Sequence, residues 1–188
     1  MSGNPFEFGL IEMAVESVRV HMLSSQHVVI LKELDRERYL PIWIGPWEAN
    51  AIAMKLQGLT PERPLTHDVF ATALRELGVA IRRVVIADLA DETFHARLYL
   101  ESGGREYEID SRPSDALALA VRSNVRIFAA PAVLKRAGVE PEPATAEELE
   151  TTGERLPDER LEVFRDFVNS LEIDLEGDQR EGPGPEAL

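Results

Sequence analysis

The sequence predicts an α+β fold in which a β-β-β-α unit occurs twice, with the strands in a mixed or antiparallel sheet system and the helices packed on it. Strand-like segments come in two groups of three, and each group is followed by a helix that begins with proline. An ungapped shift of 67 residues lays the first group on the second, and Pro46 then falls on Pro113 and Glu48 on Asp115. The alternative is two unrelated β-meanders, each with its own helix.

The first unit begins with three segments rich in β-branched or aromatic residues, Val15–Leu23, His27–Leu34 and Tyr39–Ile44. Pro41 cannot donate a backbone hydrogen bond, so we expect the third strand to lie at an edge or to carry a bulge. Helix Pro46–Gln57 follows, and Gly58 ends it.

A second helix, His67–Leu77, is expected to begin after Thr66 as its N-cap. Its apolar residues recur at helical spacing and predict a stripe that faces the core, formed by Val69, Phe70, Ala73, Leu74 and Leu77.

The second unit repeats this order, with strands expected at Ala80–Asp88, Thr93–Leu100 and Arg105–Asp110. Helix Pro113–Ser123 follows. A short strand, Val125–Ala129, and a short helix, Pro131–Ala137, then complete the unit.

The charge of the chain divides it at about residue 139. The net charge of −14 separates into −2 for residues 1–138 and −12 for residues 139–188. We therefore expect one domain over residues 10–139, an acidic linker at 140–160, an amphipathic helix at 161–172 and a disordered acidic tail at 173–188. The nearly neutral domain does not carry the strongly basic surface of a dedicated nucleic-acid binder.

Several classes of protein are excluded by what the sequence lacks. There is no cysteine, which removes disulfides and cysteine chemistry. No apolar run is long enough to span a membrane, and the first residues do not resemble a signal peptide, so we expect a cytoplasmic protein. No glycine-rich phosphate loop is present, and no organic cofactor is expected. Exposed strand edges near Tyr39–Ile44 suggest a homo-oligomer, with a dimer favoured.

Four segments resemble the bifunctional nuclease domain family: RYLPIWIGPWEANAIA from Arg38, RPLTHD from Arg63, VVIADLADETFH from Val84 and IDSRPSDALALAVR from Ile109. The resemblance covers roughly residues 12 to 139, and the string from Asp110 to Asp115 is its most specific part. It implies a nuclease that degrades both RNA and DNA, but it supplies no catalytic residues. One departure is Glu92, which stands at a turn position where glycine is expected.

The first candidate cluster lies at the start of the second helix. Arg63 could bind phosphate, and His67 could act as an acid or a base. Asp68 could be a metal ligand or a partner that orients His67. The alternative is ordinary helix capping, in which Thr66 caps the helix and Asp68 complements its dipole.

The second candidate cluster lies at the start of helix Pro113–Ser123. Asp110 and Asp115 are catalytic candidates that could hold Mg²⁺ or Mn²⁺ with Glu48, the residue that the repeat relates to Asp115. Arg112 could clamp phosphate, with Ser111 and Ser114 as further substrate ligands. Here too, capping of the helix is the alternative, with Ser111 or Asp115 binding free N–H groups.

Two functions therefore remain open. The first is a non-specific nuclease that is expected to depend on a divalent metal, with nucleic acid as its substrate. The second is a non-enzymatic regulatory or protein-interaction module with an acidic tail. A third hypothesis combines them, with the tail covering the site in place of nucleic acid. The histidines on strands, His21, His27 and His95, are expected to be structural. Trp43 and Trp47 are expected to fill the core or a subunit interface, and the alternative is that an exposed tryptophan stacks on a base.

Overall fold

A computed structural model describes residues 9–21 and 26–141 of the chain. The expected helix at 161–172, the tail and nearly all of the linker lie outside the described residues. The strands are β1 (Ile11–His21), β2 (Gln26–Glu33), β3 (Tyr39–Ile44), β4 (Ala80–Ala90), β5 (Thr93–Ser102), β6 (Arg105–Ser111) and β7 (Arg126–Ala129). The helices are α1 (Pro46–Leu56), α2 (Thr66–Glu76), α3 (Pro113–Ser123) and α4 (Pro131–Ala137).

All of these strands form one sheet in the order β3-β2-β1-β7-β4-β5-β6. Each unit contributes an antiparallel meander that runs from the centre of the sheet to an edge. Strand β7 joins the two meanders, because it pairs antiparallel with β1 and parallel with β4. The α+β class and the duplicated β-β-β-α unit are confirmed. The sheet is mixed only because β7, which has no counterpart in the first unit, lies between the halves.

The helix layer is centred on α3, which packs against both α1 and α2 as well as the sheet. This position explains why α3 is composed of alanine and leucine, since small residues allow close approach on several sides. Ala116 to Ala120 are all buried, and Leu117 is fully enclosed. The same core contains Ile52 of α1 and Val84 of β4. Within the described residues, no helix has the length and hydropathy needed to cross a membrane.

Helix α2 departs from the prediction in two ways. Leu65, not Thr66, is its N-cap, and no side-chain group of the N-cap residue satisfies the first turn. Asp68 instead accepts a hydrogen bond from the backbone N–H of Leu65 at 2.8 Å. The predicted apolar stripe also does not face the core. Only Ala71 and Leu74 pack against the core, whereas three large side chains of the stripe are exposed, namely Val69, Phe70 and Leu77.

The two edge strands of the sheet are protected in different ways. Strand β3 lies at an edge, as Pro41 predicted, and its pairing with β2 is regular. Val139 exchanges two backbone hydrogen bonds with Tyr39 on the outer side, both at 2.8 Å. Because outward-facing residues alternate along a strand, Pro41 faces the same side and has no N–H to offer.

The opposite edge, β6, is largely exposed along its whole length. Its acidic side chains alternate with Tyr107 and Ile109, and they pair with arginines of neighbouring strands. Glu106 forms a two-pronged ion pair with Arg83, at 3.0 and 3.1 Å. Charge therefore protects this edge. The edge of β3 is protected by the bridge from Val139 and by Pro41.

Candidate active site

A cleft of about 560 Å³ lies between the two repeated units, where α1 and α3 begin. The 67-residue shift relates residues on its two sides, so that His27 corresponds to Phe94, and Pro46 to Pro113. The two helix starts therefore border a common cleft. Its lining consists of Gln26, His27, Ile42, Trp43, Ile44, Gly45, Pro46, Glu92, Thr93, Phe94, Arg112, Pro113 and Ser114.

Both helices begin at the cleft without a side-chain cap. The N-cap residues are Gly45 for α1 and Arg112 for α3, and each is followed by proline. The uncapped first turns present backbone N–H groups and the positive ends of two helix dipoles. Ser114 in the first turn of α3 is only 6% exposed, and its hydroxyl makes no hydrogen bond to the described part of the chain. These features suit the binding of an anion.

Arg112 connects the two helix starts. Its Nε lies 2.7 Å from Oδ2 of Asp115, and its Nη2 lies 3.0 Å from Oε1 of Glu48. Nη1 takes part in neither contact. Its two N–H groups therefore remain available as donors in the lining of the cleft. A Cβ atom at position 45 would collide with the Glu48 carboxylate, so a larger residue there would displace this side chain from its present position.

His67 of α2 reaches Asp115 across the helix layer, with Nε2 3.1 Å from Oδ1. Burial raises the pKa of Asp115, but hydrogen bonds from Arg112 and His67 outweigh it, and the net pKa is below the usual value. Asp115 is therefore ionised at neutral pH and can only accept hydrogen bonds. In the neutral ring, Nε2 of His67 must carry the proton, which leaves Nδ1 as the basic nitrogen.

Arg122 holds the helices that carry these groups. Its side chain is 5% exposed, and Nε binds Oδ1 of Asp68 at 2.7 Å. Its Nη2 donates to the carbonyl of Ala51 in α1 at 3.2 Å, and its Nη1 donates to Ala118 within α3 at 3.0 Å. Burial acts to raise the pKa of Asp68, but the Leu65 N–H and Arg122 lower it further, so this carboxylate is also held ionised.

The other predicted site residues lie apart from this cluster. Asp110 points from β6 towards Arg97 and pairs with it. Arg63 is exposed, and no ion pair to residues 9–21 or 26–141 holds it. The Ser111 hydroxyl donates to the carbonyl of Arg112 at 3.0 Å, so it caps no N–H group.

The carboxylates predicted to hold Mg²⁺ or Mn²⁺ are not brought together. Asp110 is paired with Arg97, while Asp115 and Glu48 both bind Arg112. Across the described ranges, no group of three or more histidine, aspartate or glutamate side chains is placed to hold a metal ion. As they lie, these residues do not fit one ion.

The aromatic wall of the cleft was predicted only in part, as the alternative that a tryptophan is exposed. Neither tryptophan fills the core, as Trp43 is 53% exposed and Trp47 is 83% exposed. Trp43 lines the cleft together with His27 and Phe94. The repeat itself contained the signal, since the shift that pairs Pro46 with Pro113 also aligns His27 with Phe94.

Comparison with known proteins assigns the chain to a family. The bifunctional nuclease domain model matches residues 29–142. An uncharacterized protein of Mycobacterium tuberculosis (strain ATCC 25618 / H37Rv) is 40% identical over 163 residues, which cover 87% of this chain and 96% of that protein. Bifunctional nuclease 1 of Oryza sativa subsp. japonica is 29% identical over 114 residues, covering 58% of this chain and 34% of that protein. The Oryza minuta protein named bifunctional nuclease matches to the same extent.

Proposed function

Because this chain belongs to the bifunctional nuclease domain family, we propose that it is a nuclease that hydrolyses phosphodiester bonds of RNA and DNA at the cleft between the repeats. The relatives named as bifunctional nucleases share about one third of their own length with this chain. The observation that carries the proposal is the convergence of two uncapped helix starts, Arg112 and the His67–Asp115 pair.

The phosphate would bind where α1 and α3 begin. The free N–H groups of both first turns and the Ser114 hydroxyl can donate to its oxygens. Nη1 of Arg112 adds a charged donor, which stabilises negative charge that develops on phosphorus. Glu48 and Asp115 hold the guanidinium in place, because each carboxylate binds a nitrogen other than Nη1.

His67 would transfer the proton. A water oxygen attacks phosphorus, its proton passes to Nδ1 of His67, and the bond from phosphorus to the leaving oxygen breaks. The protonated ring can then return the proton to the leaving oxygen, so the cycle balances. Asp115 orients the ring and stabilises its positive charge during the step. The His67 side chain is 14% exposed and is not part of the cleft lining, to which it is joined through Asp115 and Arg112.

Dependence on Mg²⁺ or Mn²⁺ remains a prediction. Asp110, Asp115 and Glu48 would have to leave their arginine partners to share an ion, so no step is assigned to one. Loss of cleavage in EDTA, together with loss in an Asp110→Asn variant, would favour the carboxylate arrangement over the histidine arrangement.

The test is cleavage of labelled single-stranded RNA and duplex DNA by the full chain, with Mg²⁺, Mn²⁺ or EDTA. His67→Ala and Arg112→Ala should each reduce cleavage by about 100-fold or more, the usual loss for an acid–base or oxyanion group. The matched control is Arg82→Ala, which also removes an exposed, ion-paired arginine, in this case one that pairs with Glu101 on β5.

Two outcomes would overturn the proposal. Cleavage that is equal in wild type, His67→Ala and Arg112→Ala would indicate a contaminant or another site. Absence of cleavage by the full chain under every condition would favour the second candidate, a protein-interaction module. The exposed apolar face of α2, formed by Val69, Phe70 and Leu77, supports that candidate, because an unburied apolar surface commonly marks an interface.

A further inference from the structure

The geometry points to a nucleobase site in the cleft, which makes single-stranded nucleic acid the preferred substrate. This inference rests on the proposed function and adds to it the class of nucleic acid. The cleft is an anion site at the helix starts and an aromatic site along β2, β3 and β5, so it matches a nucleotide, which has a charged phosphate and a flat base.

The aromatic part of the cleft is built from both repeats. His27 of β2 and Phe94 of β5 occupy equivalent positions, and Trp43 of β3 lies in the same lining. Trp43 is half exposed, although a tryptophan in a sheet ordinarily packs into a core. Trp47, in the first turn of α1, directly follows the lining residue Pro46 and is the more exposed of the two.

The polar part of the cleft provides the independent observation for a ligand. Ser114 is more than nine-tenths buried, lines the cleft and has no hydrogen-bond partner in the described part of the chain. Its Oγ is not sealed from solvent, because Arg83 Nε is the one fully buried side-chain polar atom without a partner among the described residues, so a ligand in the cleft can reach it. Nη1 of Arg112 offers two further N–H donors at the same place, while Glu48 and Asp115 offset the charge of the guanidinium. Glu92, in the β4–β5 turn, is the one acidic residue in the lining.

An unpaired base fits this arrangement better than a duplex. The volume of about 560 Å³ is in the range of sites that enclose a small ligand. Bases in a duplex are already stacked on their neighbours and would have to be extruded before they could enter. A single strand offers its bases freely, and stacking on aromatic side chains is tolerant of sequence.

The chain provides its own reporter for this site. It contains two tryptophans, and these are Trp43 and Trp47, so intrinsic tryptophan fluorescence reports on the cleft region alone. We would titrate the full-length His67→Ala protein, in EDTA to prevent cleavage, with an oligothymidylate of about ten nucleotides. A hairpin duplex and an abasic strand with equal numbers of phosphates would be titrated in parallel.

The expected result is quenching by the oligothymidylate and markedly weaker binding of the duplex and the abasic strand. Trp43→Ala, measured by anisotropy of a labelled strand, should weaken binding by about 5- to 150-fold, the cost of one lost base–aromatic stack. Trp43→Phe keeps an aromatic face and should retain most of the affinity. Tyr107→Ala removes an exposed aromatic residue from β6, outside the cleft lining, and is the matched control.

Equal binding of the oligothymidylate and the abasic strand would overturn the inference, since it would show that phosphate alone is recognised. Unchanged affinity in Trp43→Ala would do the same. A fluorescence change on dilution of the protein, with no response to any strand, would place the tryptophans in contact with a second copy instead. Quenching by the oligothymidylate, without cleavage by the wild type, would support the base site and contradict the nuclease proposal. Failure of the base site and failure of the proposed nuclease activity are therefore distinguishable.

Discussion

Replacement of Arg122 should separate the helices that carry the candidate site. Its guanidinium binds Asp68 of α2 and carbonyl groups of α1 and α3, so one side chain joins three helices. Arg122→Met keeps a similar length of apolar chain but removes the charge and the donors. Asp68 then loses its partner, and the carbonyl of Ala51 loses a donor.

The expected loss of stability follows from the burial of the pair. Removal of one partner from a fully buried ion pair costs about 3–5 kcal/mol. The Asp68 side chain is about one third exposed and can regain some solvent, so we expect about 2–4 kcal/mol. The melting temperature should fall by about 5–15 °C at pH 7. Arg122→Lys should lose less stability than Arg122→Met, because lysine keeps the positive charge. The first unit already has a lysine, Lys55, at the equivalent position.

The pH dependence gives a second measurement of the same contact. Burial opposes the ionisation of Asp68, but the Leu65 N–H and Arg122 lower its pKa overall. A lowered pKa in the folded state stabilises the protein above the unfolded pKa of about 3.9, and this contribution is lost as the pH falls through the folded pKa. The difference in unfolding free energy between wild type and Arg122→Met should therefore be constant near neutral pH and shrink below about pH 4.

The assay is chemical denaturation followed by far-ultraviolet circular dichroism, at pH 7 and at pH 3. Arg82→Met is the matched control, because Arg82 also pairs with a glutamate but is exposed on β4, and its loss should cost less than about 1 kcal/mol. Equal stability of Arg122→Met and wild type at pH 7 would refute the reasoning, as would a difference that persists unchanged at pH 3.

Three further predictions follow from the cleft, a turn and the charge of the chain. Gly45→Ala should push the Glu48 carboxylate away from Arg112 and reduce cleavage, whereas unchanged kinetics would show that this contact is dispensable. Glu92→Gly should raise stability by about 1 kcal/mol in thermal melts, because Glu92 has a φ of 60° that glycine adopts without strain; no gain would contradict this. Truncation after Val139 removes a net charge of −12 and should raise affinity for single-stranded DNA several-fold at low salt, and equal affinity would rule out repulsion by the tail.

Local sequence patterns predicted most of the helices and strands, because periodicity and proline placement are properties of neighbouring residues. These local patterns did not predict the order of the strands in the sheet. Strand β1 begins at Ile11, four residues before the expected start, because Ile11 to Met13 pair with β7. The failure of Thr66 as an N-cap has a local cause, since Asp68 supplies the capping interaction from within the helix.

The candidate site was predicted in its parts but not in its pairings. His67, Arg112, Asp115 and Glu48 were all selected, yet the sequence assigned them to separate clusters around two helix starts. The structure joins them because α2 packs on α3, a contact that no local pattern specifies. Asp110 was selected from its place beside Arg112 in sequence, but the alternation of side chains along β6 directs it to Arg97.

The charged protection of β6 has a consequence for how the protein associates with itself. The carboxylates of Glu106, Glu108 and Asp110 keep this open strand from pairing with another molecule. Without these charges, Tyr107 and Ile109 would alternate along an uncharged strand whose outer backbone groups are open to pairing. A variant with amides at these three positions should therefore form fibrous aggregates that begin at β6, while the edge of β3 remains closed by Val139 and Pro41.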